Sequence, residues 1–143
     1  MKTILLIDND PVSSTRISEL VLRIKHRIVH APYADQAKDV LKREEPDLVV
    51  HHVPENGQDS PASIQSAYEA FRLHGIPLLC IARARSFQES APEILGPKQY
   101  LIEPFTINEL LNAVEDHLKR GNRDRTIPPR SMLQEGASEP SRP

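Results

Sequence analysis

The sequence predicts an α/β fold: a (βα)5 doubly wound parallel sheet of five strands with helices on both faces. Two observations predict it. Five short apolar or β-branched runs, each the length of a strand buried on both faces, alternate with segments whose apolar residues recur at helical spacing. Helix-start signals fall at the junctions between the two kinds of segment. Strand and helix in strict alternation, with right-handed crossovers, give a parallel sheet covered on both sides.

The elements follow in order. Thr3 to Ile7 is the first strand-like run, and Asp10 before Pro11 then sets a capping side chain ahead of a first-turn proline. Ile17, Leu20, Val21 and Ile24 form the apolar stripe of the helix that follows. Arg27 to His30 is the second strand, and Ala37, Val40 and Leu41 mark the second helix. Leu48 to His52 is the third strand; Ser60 and Pro61 open a helix striped by Ile64, Ala67, Tyr68 and Phe71. Pro77 to Ile81 is the fourth strand, followed by a shorter candidate helix, Phe87 to Leu95, with Ser86 and Glu89 at capping-box spacing. Gln99 to Ile102 is the fifth strand. Thr106 and Glu109 repeat the capping-box spacing before the last stripe, Leu110, Leu111, Val114 and Leu118. No internal repeat interrupts the pattern.

Composition bounds the rest. At 143 residues, 38% apolar and 27% charged, with a formal charge of −2, the chain is sized for one water-soluble domain. Its apolar runs are too short for a membrane span or a signal peptide, so a cytoplasmic protein is expected. The single cysteine, Cys80, makes no intramolecular disulfide and no cysteine-based metal cage. Set in the middle of a buried strand, it reads as a small core residue and not as a nucleophile. From Lys119 onward six basic residues face Asp124, Glu135 and Glu139, whereas the body is acidic. Pro128, Pro129, Pro140 and Pro143 with few apolar neighbours cannot bury enough surface to offset chain entropy. The domain is therefore expected over residues 1–119, with a disordered Pro/Arg-containing tail over 120–143. That tail lacks interleaved aromatics, so nucleic acid is not its expected partner, and no DNA-binding effector domain fits within it.

Function in such a sheet is expected where the strands end, near the switch in strand order. The relevant residues are Ile7-Asp8-Asn9-Asp10, Val50-His51-His52, Ile81-Ala82-Arg83 and Ile102-Glu103-Pro104-Phe105. Ile4-Leu5-Leu6-Ile7-Asp8-Asn9-Asp10-Pro11, Pro46-Asp47-Leu48-Val49-Val50, Gly75-Ile76-Pro77-Leu78-Leu79 and Tyr100-Leu101-Ile102-Glu103-Pro104-Phe105, in that order and spacing, resemble the receiver domain of bacterial two-component response regulators over about 118 of the 143 residues. The resemblance implies a flavodoxin-like fold and a role in phosphorelay signal transduction. It also implies an acidic pair after strand one, a phosphate-accepting aspartate ending strand three, a hydroxyl residue ending strand four, and a lysine-proline after strand five with its peptide bond in cis.

The chemical positions depart from that pattern. Asp8 is retained, Asn9 replaces the second acid, His52 stands at the acceptor, Ala82 at the hydroxyl and Glu103 at the lysine. Acyl-phosphate chemistry needs a carboxylate nucleophile, a hard cation held by carboxylate oxygens and an ammonium. Here the nucleophile is missing, and Asp8 with Asn9 makes a poor magnesium site, so neither metal nor cofactor is expected. Phosphohistidine at His52 is disfavoured by its place at a strand end. A metal site from His51, His52 and Asp8 is disfavoured because adjacent strand residues face opposite ways. The plain expectation is that His52 bonds or ion-pairs with Asp8 or Glu103, which would raise its pKa while burial lowers it. Asp10 reads as a helix cap, Gly57 and Gly75 as turn residues, and Pro104 as the cis-proline. Tyr100 fits equally the family's rotating aromatic and ordinary packing.

The resulting expectation is a degenerate, stand-alone receiver-like domain, a pseudo-receiver with no catalysis of its own, that binds another protein. A signalling protein or a histidine-kinase-linked component would be the partner, or a second copy of the chain. The resemblance places the docking surface on the candidate fourth helix, the fifth strand and the last helix, with Phe87, Glu93, Lys98, Tyr100, Asn108 and Asn112 on it. Two alternatives compete: a phospho-accepting receiver with a shifted acceptor such as Asp47 or Glu55, and a flavodoxin-like nucleotide or second-messenger binder. The second lacks a phosphate-cradling glycine loop.

Overall fold

The structure, a computed structural model, describes residues 1–53, 59–83 and 100–125. Five strands, β1 (Thr3–Ile7), β2 (Arg27–Ala31), β3 (Leu48–His52), β4 (Leu78–Arg83) and β5 (Tyr100–Glu103), form one sheet in the order β2-β1-β3-β4-β5. Every neighbouring pair is parallel. The helices are α1 (Pro11–Arg23), α2 (Ala34–Val40), α3 (Pro61–Leu73) and α4 (Ile107–Arg125). From β1 the chain runs outward to β2 and then back to β3 on the other side, so the switch in strand order lies between β1 and β3.

Alternation along the central strands divides the core in two. Leu5, Ile7, Val49, Leu78 and Cys80 pack against Ala34, Ala37 and Val40 of α2 and Ala67, Tyr68 and Phe71 of α3. Ile4, Leu6, Leu48, Val50, Leu79 and Ile81 pack against Ile17, Leu20 and Val21 of α1 and Leu110, Val114 and Leu118 of α4. Because both faces of β1, β3 and β4 are covered, their sequences read as continuous apolar runs and not as alternating ones. The edge strand β2 is only partly buried over most of its length.

Local chemistry sets the helix ends. Asp10 caps α1 by accepting the Val12 N–H at 3.0 Å, and Ser60 caps α3 by accepting the Ser63 N–H at 3.1 Å. Thr106 and Glu109 close a reciprocal capping box on α4: Thr106 Oγ1 accepts the Glu109 N–H at 3.1 Å, and Glu109 Oε1 accepts the Thr106 N–H at 2.7 Å. After α3 the chain turns through Gly75 at φ +71°, where nothing lies within 4 Å of an added Cβ. Glycine is needed there for its backbone freedom and not for lack of room.

Several boundaries differ from the sequence expectation. Ile24 and Leu41 close their helices as C-cap residues instead of lying within them. Pro77 precedes β4, which runs on to Arg83, because the ladder to β5 continues through the Arg83–Glu103 pair. Helix α4 continues to Arg125, past the 119/120 boundary drawn from composition. Lys119, Arg120, Arg123 and Arg125 have good helix propensity, and no proline stops the helix before Pro128. The candidate helix Phe87–Leu95, the Ser86–Glu89 pair, Gly57, Gln99 and residues 126–143 lie outside the described residues.

Phe71 is 1% exposed, so Phe71→Ala should cost about 3–5 kcal/mol through lost transfer energy and a cavity. Thr106→Ala removes only a cap and should cost about 1 kcal/mol. Urea unfolding of the two variants checks the ranking; equal losses would contradict this placement of the core.

Candidate functional site

The shared carboxyl edge of the parallel strands gathers the charged residues. Ile7 pairs with His51, His52 with Ile81, and Arg83 with Glu103, so Asp8, His52 and Glu103 reach the same end of the sheet. His52 stands between the other two. Its Nδ1 lies 3.3 Å from Asp8 Oδ1, and its Nε2 lies 3.2 Å from Glu103 Oε1. The side chains of His52 and Asp8 are 13% and 1% exposed and that of Glu103 is 29% exposed, so the cluster is walled on the β1 side and open towards β5.

Asp8 is held in place by a small network. The Asp10 N–H donates to Oδ1 at 3.0 Å, and Ser13 Oγ–H donates to Oδ2. His30, on the neighbouring β2, donates Nε2–H to the Asp8 carbonyl at 2.7 Å. Burial pushes the Asp8 carboxyl pKa up, but the bonds from His52, Ser13 and Asp10 outweigh it and hold the group below its ordinary value. Burial likewise pulls His52 down, yet the bond and charge of Asp8, followed by Glu103, leave its pKa raised. Both contacts favour the imidazolium form of His52 over the neutral ring.

His51, the next residue on β3, meets the opposite environment. It is 1% exposed on the α2/α3 side, and its Nδ1 lies 2.6 Å from the Tyr68 hydroxyl oxygen. The Tyr68 oxygen lies 3.1 Å from Cys80 Sγ, so the hydroxyl bridges thiol and imidazole in one buried hydrogen-bonded chain. Burial, reinforced by the charge of His52, drives His51 down to about 4 and keeps it neutral. Burial pushes Tyr68 well up and the Cys80 thiol up to about 12, which leaves that thiol inert.

The remaining candidate residues fall as follows. Asn9 is half-buried beside Asp8, and Ala82 is fully buried at the end of β4 with only a methyl to offer. Asp10 spends its side chain on capping α1. The Glu103–Pro104 peptide is cis. Tyr100 packs against the α2/α3-side core, while Asn108 and Asn112 are exposed on α4. Phe87, Glu93 and Lys98 lie outside the described residues, as does Glu55. Asp47 sits at the opposite edge of the sheet, where its Oδ2 accepts the Thr3 N–H at 2.8 Å.

Sequence reading missed Ser13 and His30 as supports of Asp8. The Asp10-Pro11 start signal was enough to find Ser13, because it places that residue in the first turn of α1, directly over the strand end. His30 carried no local signal; only the parallel pairing of β1 with β2 brings it there.

The geometry does not fit the magnesium ion that receiver chemistry uses. Both Asp8 oxygens accept hydrogen bonds, Asn9 is neutral, and His52 offers a ring nitrogen, not a carboxylate oxygen, beside Asp8. Among the described residues no group of three or more His, Cys, Asp or Glu is arranged to hold a metal, and no helix is long and apolar enough to cross a membrane.

No family model and no curated protein matches the chain. Solved structures do. The response regulator PhyR from Brucella abortus superposes with a TM-score of 0.70 at 19% identity, over 87% of this chain and 51% of that one. The chain thus spans about half of PhyR. The receiver domain of sensor histidine kinase PA1611 from Pseudomonas aeruginosa PAO1, solved with magnesium in its active-site cleft, gives 0.65 at 21% identity, over 82% and 98%. The chemotaxis response regulator CheY4 of Vibrio cholerae gives 0.64 at 14%, over 81% and 98%. The fold is that of response-regulator receiver domains, a flavodoxin-like five-stranded parallel sheet.

The raised His52 pKa makes a stabilising contribution that is complete below the unfolded value of about 6.5 and is lost as pH rises through the folded value. The lowered Asp8 pKa contributes above the unfolded value of 3.8 and is lost as pH falls through the folded one. His51 acts against His52: below about 6.5 the unfolded chain takes up a proton that the folded one refuses. Comparing wild type with His52→Gln removes the part of the His51 contribution that comes from burial, the larger cause of its shift. Their difference in urea-unfolding free energy should be largest at mildly acidic pH and shrink as pH rises above neutral; a difference independent of pH would contradict the ion pairing.

Proposed function

We propose that this chain is a receiver-like signalling domain that acts by binding another protein and is not itself phosphorylated. The observation that carries this reading is His52. The resemblance puts it at the acceptor position, and its two ring nitrogens are turned to Asp8 and Glu103, so on this reading there is no carboxylate nucleophile there. The lysine position bears a carboxylate of the wrong sign to meet a phosphoryl oxygen. The reading carries no catalysis of its own, needs no metal or cofactor, and places the protein in the cytoplasm.

The partner is a signalling protein or a second copy of this chain. Asn108 and Asn112 on α4, both exposed, mark the part of the docking face that lies within the described residues. Incubation with acetyl phosphate and magnesium, followed by intact-mass measurement, tests the reading. No species heavier by roughly 80 daltons, one phosphoryl group, should appear. A stoichiometric adduct on any residue of the cleft overturns it.

A further inference from the structure

A carboxylate oxygen only accepts hydrogen bonds, so the two contacts of His52 are both favourable only when both ring nitrogens carry protons. Nδ1 faces Asp8 Oδ1 at 3.3 Å and Nε2 faces Glu103 Oε1 at 3.2 Å. A neutral imidazole has one N–H. Its bare nitrogen would point a lone pair at a carboxylate, and one of the two contacts must then open.

The structure shows which. Asp8 is 2% exposed and is held by the Asp10 N–H and the Ser13 hydroxyl, so it stays where it is and keeps the single N–H. Glu103 is the more open partner, with 29% of its side chain exposed, and water can replace the ring for its carboxylate. Glu103 also ends β5 and leads directly through Pro104, Phe105 and Thr106 into α4.

We propose that proton binding at His52 is the input of this domain: the imidazolium latches the end of β5 to β1 and β3, and loss of its proton releases Glu103 and the turn into α4. The latch deepens the reading of an unphosphorylated receiver-like domain and rests on it. Among the described residues, the charged groups that act on the ring are Asp8, just past β1, and Glu103, at the end of β5. Neutral His51 precedes it on β3, Arg83 ends β4 in register with Glu103, and Asp10 turns its carboxylate away onto α1. The balance of burial against the two carboxylates, worked out above, favours the protonated ring.

An NMR titration of the full chain, isotopically labelled with nitrogen-15, tests the latch. The His52 ring should carry two protons at mildly acidic pH and titrate with a midpoint above that of the free side chain. The backbone amides of Glu103, Phe105 and Thr106 should shift with the same midpoint. In Glu103→Gln the His52 midpoint should fall. In His52→Gln the turn amides should stop titrating over that range, while a dispersed spectrum shows that the domain remains folded. A His52 midpoint at or below the free value, or turn amides that stay still while the ring titrates, overturns the latch. A phosphoryl adduct in the mass experiment, by contrast, would sink the unphosphorylated reading even if the ring titrates as described, so the two failures are distinguishable.

Discussion

The parallel register of β1, β3, β4 and β5 decides which side chains can meet at the cleft. All strands of a parallel sheet finish at one edge, so residues just past Ile7, His51 and Ile102 are brought together without any specific loop. The register is itself fixed by burial. Ile4, Leu6 and Val50 face α1 and α4, while Leu5, Ile7 and Val49 face α2 and α3, and a slip of one residue would turn each set to the wrong side. The same slip on β3 would exchange His51 and His52. Two neighbouring histidines therefore have opposite fates for a reason of alternation alone: one is sealed among apolar side chains with its pKa lowered, the other lies between carboxylates with its pKa raised.

His52 lies between two carboxylates, and protonation of the ring turns both contacts into ion pairs. Each contact of about 3.3 Å is worth roughly 5 kcal/mol of gross attraction at an effective dielectric of about 20. Several kcal/mol per ion are returned in desolvation, so two carboxylates around one imidazolium come closer to balance than one would. The partial exposure of Glu103 reduces its share of both quantities. Even with the ring protonated, the triad keeps one net negative charge.

Much of this could be read from the residues, and the reasons differ by element. The strands were legible because a sheet buried on both faces leaves unbroken apolar runs, and the helix starts because Asp10-Pro11, Ser60-Pro61 and Thr106/Glu109 are local chemistry. That His52 would meet Asp8 or Glu103 followed from strand ends sharing an edge. That it meets both did not, because simultaneous contact depends on distances across β4 that no spacing encodes. The helix end at Arg125 was not legible because charge and proline content describe solubility better than local helix propensity. The chain from Cys80 to His51 was invisible for another reason: Tyr68 read as one more apolar position in a stripe, with nothing to show where its hydroxyl points.

That buried chain also gives the molecule a natural gauge of its own breathing. Cys80 is the only thiol in the sequence, it is 2% exposed, and its proton is held to about 12. An alkylating reagent requires a solvated thiolate, so it can react only in conformations where α3 has lifted from β4 and water has reached the sulfur. The rate of modification then counts those openings one thiol at a time, in the unaltered protein, and separates motion on the α2/α3 side from events at the charged edge on the other.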